Sequence, residues 1–353
     1  MMKVLVAPLD WGLGHATRSI PIIRDFLRQN ATVELAVSGS IAALYKTEFP
    51  DLKQIPISSY AIRYPKHGFE FPLWLLTHLH RIQKVVAEEH QTAERLVRER
   101  QYDVIFSDNR FGFYAKGVRN IYMTHQLRIA FPGVFRLFEK IGILWHCRQM
   151  QNFDEIWIPD EERFPGLAGR LSHVAYADEN LNQKIRYVGP QSRFAEMENK
   201  ATENAFQEFR FLALLSGPEP MRTAFEKKLL RAFSEIPGCH ALVRGLPGSS
   251  DLPAVPPNVS VFNHLETPLL AETIRHAETV VSRSGYSTVM DMRILGASCI
   301  FVPTPGQTEQ LYLGKTLLAS GIAGLLFQNQ ISKDSLLEAA AVLKSHPKNG
   351  IVL

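Results

Sequence analysis

Two short stretches of this chain carry side chains whose types and spacing suit group transfer. The first is DWGLGHATRS (10–19). Gly12 and Gly14 let the backbone turn tightly and come close to a ligand. The helix start that follows offers N–H groups to an anion or a polarised oxygen. The spacing is not the GxGxxG of a dinucleotide fold, because His15 directly follows the second glycine. An imidazole at that point can take a hydroxyl proton near neutral pH. Arg18, one turn on, suits a phosphate or a carboxylate. The plainer reading is a helix start that satisfies only its own hydrogen bonds.

The second stretch is VVSRSGYSTVMD (280–291). A buried strand runs into Ser282, Arg283, Ser284 and Gly285, and a helix begins. Ser284, Thr288 and Asp291 recur at helical spacing and share one face. Hydroxyls near the amino end suit a diphosphate, where helix N–H groups add partial positive charge. Asp291 lies further along and suits the paired hydroxyls of a ribose. The alternative is a serine cap with Asp291 paired to a nearby arginine. In FVPTPGQTEQLY (301–312), Glu309 and Gln310 sit just inside another helix and suit sugar hydroxyls or plain solvation. Asp108 ends the strand-like YDVIFSD (102–108), and His125 and Gln126 end RNIYMTHQ (119–126). Strand ends of this kind hold ligands, capping groups or satisfied buried polar residues.

The elements that position these residues alternate. Residues 3–9, 31–39, 52–57, 102–108, 119–126 and 154–160 read as strands, with helices over about 16–29 and 72–100. After a polar segment the pattern restarts with strands at 209–217, 239–245, 258–265, 278–285 and 297–306. Helices are predicted over 221–235, 267–277, 286–295, 308–319 and 333–345. The reading is α/β, as two doubly wound Rossmann-like domains. Residues 1–190 form the first domain, 191–208 the connection and 209–353 the second domain.

Composition sets the outer bounds. The 353 residues are 46% hydrophobic and 21% charged, enough for two ordinary cores, with a formal net charge of +4. That mild basic bias does not argue for nucleic acid, and it fits ligands that carry phosphate. Cys147, Cys239 and Cys299 form no CxxC pair, so neither a disulfide framework nor a zinc site is expected, and the cytoplasm suits them. The chain opens directly on a strand, with no signal-peptide pattern and no run long enough to span a bilayer. The stretches 58–84 and 128–148 mix aromatic and aliphatic residues with Lys, Arg and His. They fit peripheral membrane contact, a lipid-linked acceptor, or helices packed on a sheet.

The block 280–324 resembles the carboxy-terminal signature of the family 28-type glycosyltransferases, and the GLGH turn is similar to their amino-terminal glycine turn. That family includes the transferase that adds N-acetylglucosamine to the lipid-linked peptidoglycan precursor. The resemblance implies a GT-B fold, with two Rossmann-like domains facing across a cleft and no metal or other cofactor. It implies a nucleotide-sugar donor, UDP-linked, and a carbohydrate or lipid-linked acceptor in cell-envelope synthesis. Arg283, Ser284, Gly285 and Thr288 would face the diphosphate. Asp291 stands where the family has the ribose-holding Glu. Glu309 and Gln310 replace a Gln-Gln pair that holds the donor sugar, and Asn263, His264 and Leu265 match the loop whose backbone meets uracil. Ser216 and Gly217 open the turn that is glycine-rich in the family. Here that turn runs on through Pro218, Glu219 and Pro220, where prolines remove N–H donors and Glu219 opposes phosphate, with Arg222 as a compensating charge.

No Asp-x-Asp pair occurs, which disfavours nucleotide anchoring through Mg²⁺ or Mn²⁺. The expected reaction is a direct displacement with inversion. His15 or Asp108 takes the acceptor proton, and the helix start at Arg283–Thr288 stabilises the departing diphosphate. Other outcomes on the same fold are a nucleotide-sugar hydrolase, which shares a Gly-x-Gly-His-x-x-Arg turn, a UDP-sugar 2-epimerase, and a sugar-nucleotide sensor without turnover.

Overall fold

The computed structural model describes residues 1–10, 13–58, 71–128, 139–174, 176, 178–197, 207–217, 219–247 and 249–345. Gly12, Pro218, residues 198–206 of the polar connection and much of the stretches 58–84 and 128–148 lie outside the described residues. The chain divides into two compact units, Met1–Ser192 and Arg193–Leu353.

In the first unit a parallel sheet is built from β1 (Lys3–Pro8), β2 (Thr32–Val37), β3 (Lys53–Pro56), β4 (Val104–Asp108), β5 (Arg119–Met123), β6 (Glu155–Ile158) and β7 (Ile185–Tyr187). Their order is β3-β2-β1-β4-β5-β6-β7. Strands apolar at every position must be covered on both faces, and β1 shows how. Val4 and Val6 pack under Ala16, Ile20 and Ile23 of α1 (Leu13–Arg28). Leu5 and Ala7 turn the other way, onto Ala93 and Leu96 of α3 (Phe71–Arg100). The helices α2 (Gly39–Glu48), α4 (Glu139–Met150) and α5 (Glu179–Lys184) lie between β2 and β3, β5 and β6, and β6 and β7.

The close seat of α3 depends on one glycine. A Cβ on Gly112 would fall 2.1 Å from the Val86 carbonyl oxygen and 2.7 Å from the Glu89 Cβ. Gly112→Ala therefore forces the helix off the loop after β4, and such overpacking costs about 1–3 kcal/mol. A lowered unfolding midpoint in a chemical melt is the expected result, and an unchanged midpoint contradicts it.

The second unit repeats the design with β8 (Phe209–Leu214), β9 (His240–Val243), β10 (Val259–Phe262), β11 (Ala277–Ser282), β12 (Cys299–Phe301) and β13 (Gly324–Leu325). The order is β10-β9-β8-β11-β12-β13, all parallel. Phe225, Leu229 and Phe233 of α6 (Met221–Ser234) and Leu336 and Ala340 of α10 (Lys333–Ser345) pack with Phe211 and Ala213 of β8. The helices α7 (Thr267–Arg275), α8 (Tyr286–Leu295) and α9 (Thr308–Ala319) complete the alternation.

Both sheets reverse direction beside their first strand, between β1 and β4 and between β8 and β11. Crevices at the carboxyl ends of strands flanking such a reversal are where doubly wound sheets take ligands. The sequence elements read above end at these points. Among the described residues no helix is long and apolar enough to cross a membrane.

Candidate functional site

The reversal in the first unit brings the turn after β1 against the end of β4. Pro8 pairs with Asp108, and the Leu9 N–H donates to the Asp108 carbonyl at 2.9 Å. The helix α1 begins at Leu13, earlier than its apolar periodicity suggests, so Gly14 and His15 lie in its first turn. His15 Nδ1 is 3.1 Å from Asp108 Oδ1. Arg18 Nε donates to Asp108 Oδ2 at 2.8 Å, Arg18 Nη2 donates to Oδ1, and the Ser19 hydroxyl donates to Oδ2 at 3.1 Å. Arg18 Nη1 also reaches His125 Nδ1 at 2.9 Å.

These contacts fix protons. Burial works to raise the Asp108 carboxyl, but Arg18 and then His15 overcome it and hold it well below the usual carboxylate range. Asp108 is therefore an anion and only accepts, which puts the His15 hydrogen on Nδ1 and leaves a lone pair on Nε2. Burial, then the Arg18 charge, lower the imidazole below its ordinary value, and Asp108 opposes them without cancelling them. His15 is thus neutral at pH 7. Because an arginine only donates, His125 Nδ1 accepts and its hydrogen sits on Nε2.

Exposure separates the members of the cluster. The His15 side chain keeps 16% of its surface exposed, Arg18 keeps 1% and Asp108 none. Asp108 cannot meet an acceptor hydroxyl, and its oxygens are already engaged, so its expected use as an alternative base is corrected to that of a partner of His15. Arg18 holds a carboxylate as its chemistry suggests, but the carboxylate is the protein's own. His125 is buried beside it, and Gln126 is half-buried, its N–H donating to Thr124 Oγ1 at 3.1 Å. Ser19, one turn from His15, and Tyr45, whose hydroxyl donates to the Ala16 carbonyl at 3.1 Å, escaped the sequence reading. The spacing of Ser19 was a usable signal; Tyr45 comes from α2 and offered none.

In the second unit β8 and β11 end side by side, with Leu214 paired to Ser282 and the Ser282 hydroxyl donating to the Leu214 carbonyl at 3.0 Å. Ser216 and Gly217 follow β8 and are exposed, Gly217 at φ +99°, a conformation natural to glycine. Across the reversal Gly285 precedes α8. It brings no side chain to cap that helix, and a Cβ built on it would meet nothing within 4 Å among the described residues. Thr288 and Asp291 are half-buried one turn apart on α8. Ser284 lies before the helix, wholly buried, and its hydroxyl donates to the Gln310 carbonyl at 2.7 Å. It does not share the helix face expected for it. Gln310 Oε1 accepts from the Thr304 N–H at 2.8 Å, and Glu309 is half-buried in the first turn of α9.

Arg283 also differs from expectation. Its side chain is 1% exposed and stacks on Phe225, 4.1 Å from the ring centre. Nη1 donates to the carbonyls of Val302 and Pro303 at 3.1 and 3.2 Å, and Nη2 donates to the Met221 carbonyl at 3.2 Å and to Gln328 Oε1 at 2.6 Å. Burial brings its pKa down to about 10, so it remains a cation. A guanidinium bound to four oxygens inside the fold shapes the ends of β12 and α6 and does not present itself to a diphosphate. Arg222 is likewise held between Glu219 and Glu226. Beyond β10, Asn263 and His264 are half-buried, and Leu265 belongs to the core.

The profile of the glycosyltransferase family 28 C-terminal domain matches residues 248–350. An uncharacterized glycosyltransferase of Methanosarcina acetivorans is 25% identical over 337 residues, covering 88% of this chain and 79% of the relative. The UDP-N-acetylglucosamine–N-acetylmuramyl-(pentapeptide) pyrophosphoryl-undecaprenol N-acetylglucosamine transferase of Desulforudis audaxviator is 30% identical over 105 residues. That match covers 29% of this chain and 28% of the relative. Among solved structures, the glycotransferase of kitacinnamycin superposes with a TM-score of 0.65 at 15% identity, covering 99% of this chain and 92% of that one. The protein is a glycosyltransferase, and its residues 248–350 match the family 28 carboxy-terminal domain. Its two parallel sheets with interleaved helices are the GT-B architecture. In this glycosyltransferase the family profile falls on the unit that holds Gly285, Asp291 and Gln310, while the His15 cluster lies in the other unit.

Proposed function

We propose that this glycosyltransferase is a metal-independent inverting enzyme that moves a hexosyl group, N-acetylglucosamine or a close relative, from a UDP-sugar to an acceptor hydroxyl. The observation that carries the chemistry is the His15–Asp108 contact, a neutral imidazole whose Nδ1–H faces a buried anion and whose Nε2 keeps a lone pair. In the proposed step Nε2 takes the proton of the acceptor hydroxyl as its oxygen bonds to the anomeric carbon. The bond from that carbon to the diphosphate oxygen breaks on the opposite face, and UDP leaves with the electron pair. Asp108 stabilises the imidazolium and stays ionised.

The donor belongs to the second unit. The amino end of α8 provides partial positive charge for the diphosphate, Thr288 a hydroxyl, Asp291 a carboxylate for the ribose, and Glu309 with Gln310 the first turn beside the sugar. The backbone of residues 263–265 is assigned to the base. Support for a UDP-sugar comes from the Desulforudis relative, whose name specifies UDP-N-acetylglucosamine and whose match lies on a 105-residue stretch. The absence of an Asp-x-Asp pair supports a diphosphate held without a metal.

A panel of nucleotide sugars in a thermal-shift assay tests the donor. At a hundredfold excess over Kd a uridine ligand should stabilise the protein by about 2.7 kcal/mol, and Asp291→Ala should remove most of that gain. If no uridine compound raises the melting temperature, the donor assignment fails. Free sugar and UDP released without acceptor would mark a hydrolase instead.

A further inference from the structure

A chain of charged side chains crosses the carboxyl edge of the second sheet. Glu219, in the turn after β8, accepts from Arg222 Nε at 2.6 Å and from the Thr223 N–H at 3.2 Å. Arg222 Nη1 donates to Glu226 Oε2 at 2.7 Å, and the same oxygen accepts from Arg244 Nε at 3.0 Å. Arg244 Nη1 then donates to Asn263 Oδ1 at 2.7 Å and to the Asp251 carbonyl at 2.7 Å. The amide of Asn263 closes the chain by donating to the Ser249 carbonyl at 2.8 Å. The side chains of Arg222 and Glu226 are only 5% and 6% exposed, and that of Arg244 is 12% exposed.

Buried ion pairs of this kind contribute little net stability over well-packed apolar groups, so their value lies in where they hold their partners. Here the arrangement joins the ends of β8, β9 and β10, which are neighbours in the sheet. Glu219 and Glu226 balance Arg222 and Arg244, so the turn after β8 offers no net positive charge to a diphosphate. At the other end both polar atoms of the Asn263 side-chain amide are engaged, and the main-chain carbonyl of Asn263 accepts from the Leu246 N–H at 2.8 Å. A nucleobase at this edge would therefore be read by the peptide groups that follow Asn263, whose directions are set by what anchors Asn263.

We propose that Arg244 and Glu226 are positioning residues that set the nucleobase preference of the donor site through Asn263. Arg222 acts as their relay to Glu219 and does not touch the diphosphate. The inference rests on the reading that residues 263–265 meet the base of a nucleoside diphosphate. Uracil presents an N–H donor between two carbonyl acceptors, whereas cytosine presents a ring acceptor beside an amino donor. The two are alike in size and shape, so only peptide groups held in a fixed direction can tell them apart.

The test is calorimetric binding of UDP, CDP and inorganic pyrophosphate to the full chain and to its Arg244→Ala and Glu226→Gln variants. Wild type should prefer UDP to CDP by at least about tenfold, the scale of one mismatched hydrogen-bond pattern. In Arg244→Ala the UDP affinity should fall about tenfold and the preference over CDP should vanish, with pyrophosphate binding within about twofold of wild type. Glu226→Gln should fall between. Arg244→Lys, which keeps the charge beside Glu226, serves if the alanine variant does not fold, and it too should narrow the preference. Equal weakening of UDP, CDP and pyrophosphate overturns the proposal, because the network would then act on the phosphates or on the whole unit. An unchanged UDP-to-CDP ratio in the variants overturns it as well. Wild type that binds pyrophosphate but no nucleoside diphosphate selectively contradicts the base assignment itself.

Discussion

His15→Ala is expected to lower the rate of sugar transfer by about a thousandfold, within the range typical for a general base. That corresponds to about 4 kcal/mol of transition-state stabilisation. UDP affinity should stay within a few-fold of wild type, because the residues proposed to hold the donor lie in the other unit. The sign of the pH dependence follows from the burial of the ring. Its pKa is held below the ordinary 6.5, so His15 stays neutral at pH 7 and loses its lone pair only as pH falls below that value. Wild-type kcat should be level above about pH 6.5 and fall on the acid side, and the residual rate of the variant should lack that limb. A steady-state profile from pH 5 to 8 checks both. Transfer by His15→Ala at a rate close to wild type, with the acid limb intact, would remove the imidazole from the mechanism.

What the sequence disclosed and what it withheld divide along a physical line. The strands β1 and β8 were legible because the apolar runs 4–7 and 211–214 show no alternation and have one stable use, burial on both faces of a parallel sheet. The helices of the second unit were legible to within a residue or two from their periodicity. The short edge strands β7 and β13, of three and two residues, were missed because nothing so brief carries a period. The helix α2 was missed because its opening Gly-Ser, after Ser38, reads as a turn. In α1 the start moved back to Leu13, since Gly14 and His15 join the first turn and their carbonyls accept the hydroxyls of Thr17 and Ser19.

The candidate site shows the same division at the level of single side chains. His15 and Asp108 could be singled out because a turn after one strand and the end of another are where doubly wound sheets gather polar groups. Their contact could not be read, because 93 residues separate them and only the order β1-β4 makes them neighbours. The arginines mislead most. Arg18, Arg222 and Arg283 each sit beside a motif that suggests phosphate, yet each is buried and already bound to oxygens of its own unit. Sequence reveals that a guanidinium wants oxygen acceptors, but long side chains reach whichever oxygens the fold brings first, and carbonyls at strand ends and buried carboxylates came first here.

The largest combined effect on rate and stability is expected from Asp108→Asn. Asparagine matches the carboxylate in shape but replaces one acceptor oxygen with an N–H donor. If that amide faces His15, the imidazole must accept on Nδ1 and carry its hydrogen on Nε2, where the base is needed. In either orientation the amide N–H also meets an Arg18 donor inside the fold, Nη2 at the Oδ1 position or Nε at the Oδ2 position. In both cases the imidazolium formed in the transition state loses its anion, and kcat should fall by about a hundred- to a thousandfold. The acid limb should also move to lower pH, because the Arg18 charge that lowers the His15 pKa is no longer opposed by Asp108. Leaving Arg18 buried without its anion should cost about 3–5 kcal/mol of stability at neutral pH. The linkage has a definite direction. The folded-state pKa of Asp108 lies below the 3.8 of the free group, so its contribution is complete above about pH 4 and drains away as pH falls further. The stability gap between wild type and variant should therefore be widest at pH 5–7 and narrow below pH 4. Denaturant melts across that range measure it, and a gap that stays constant down to pH 3 would show that Asp108 is not the buried anion on which Arg18 and His15 depend.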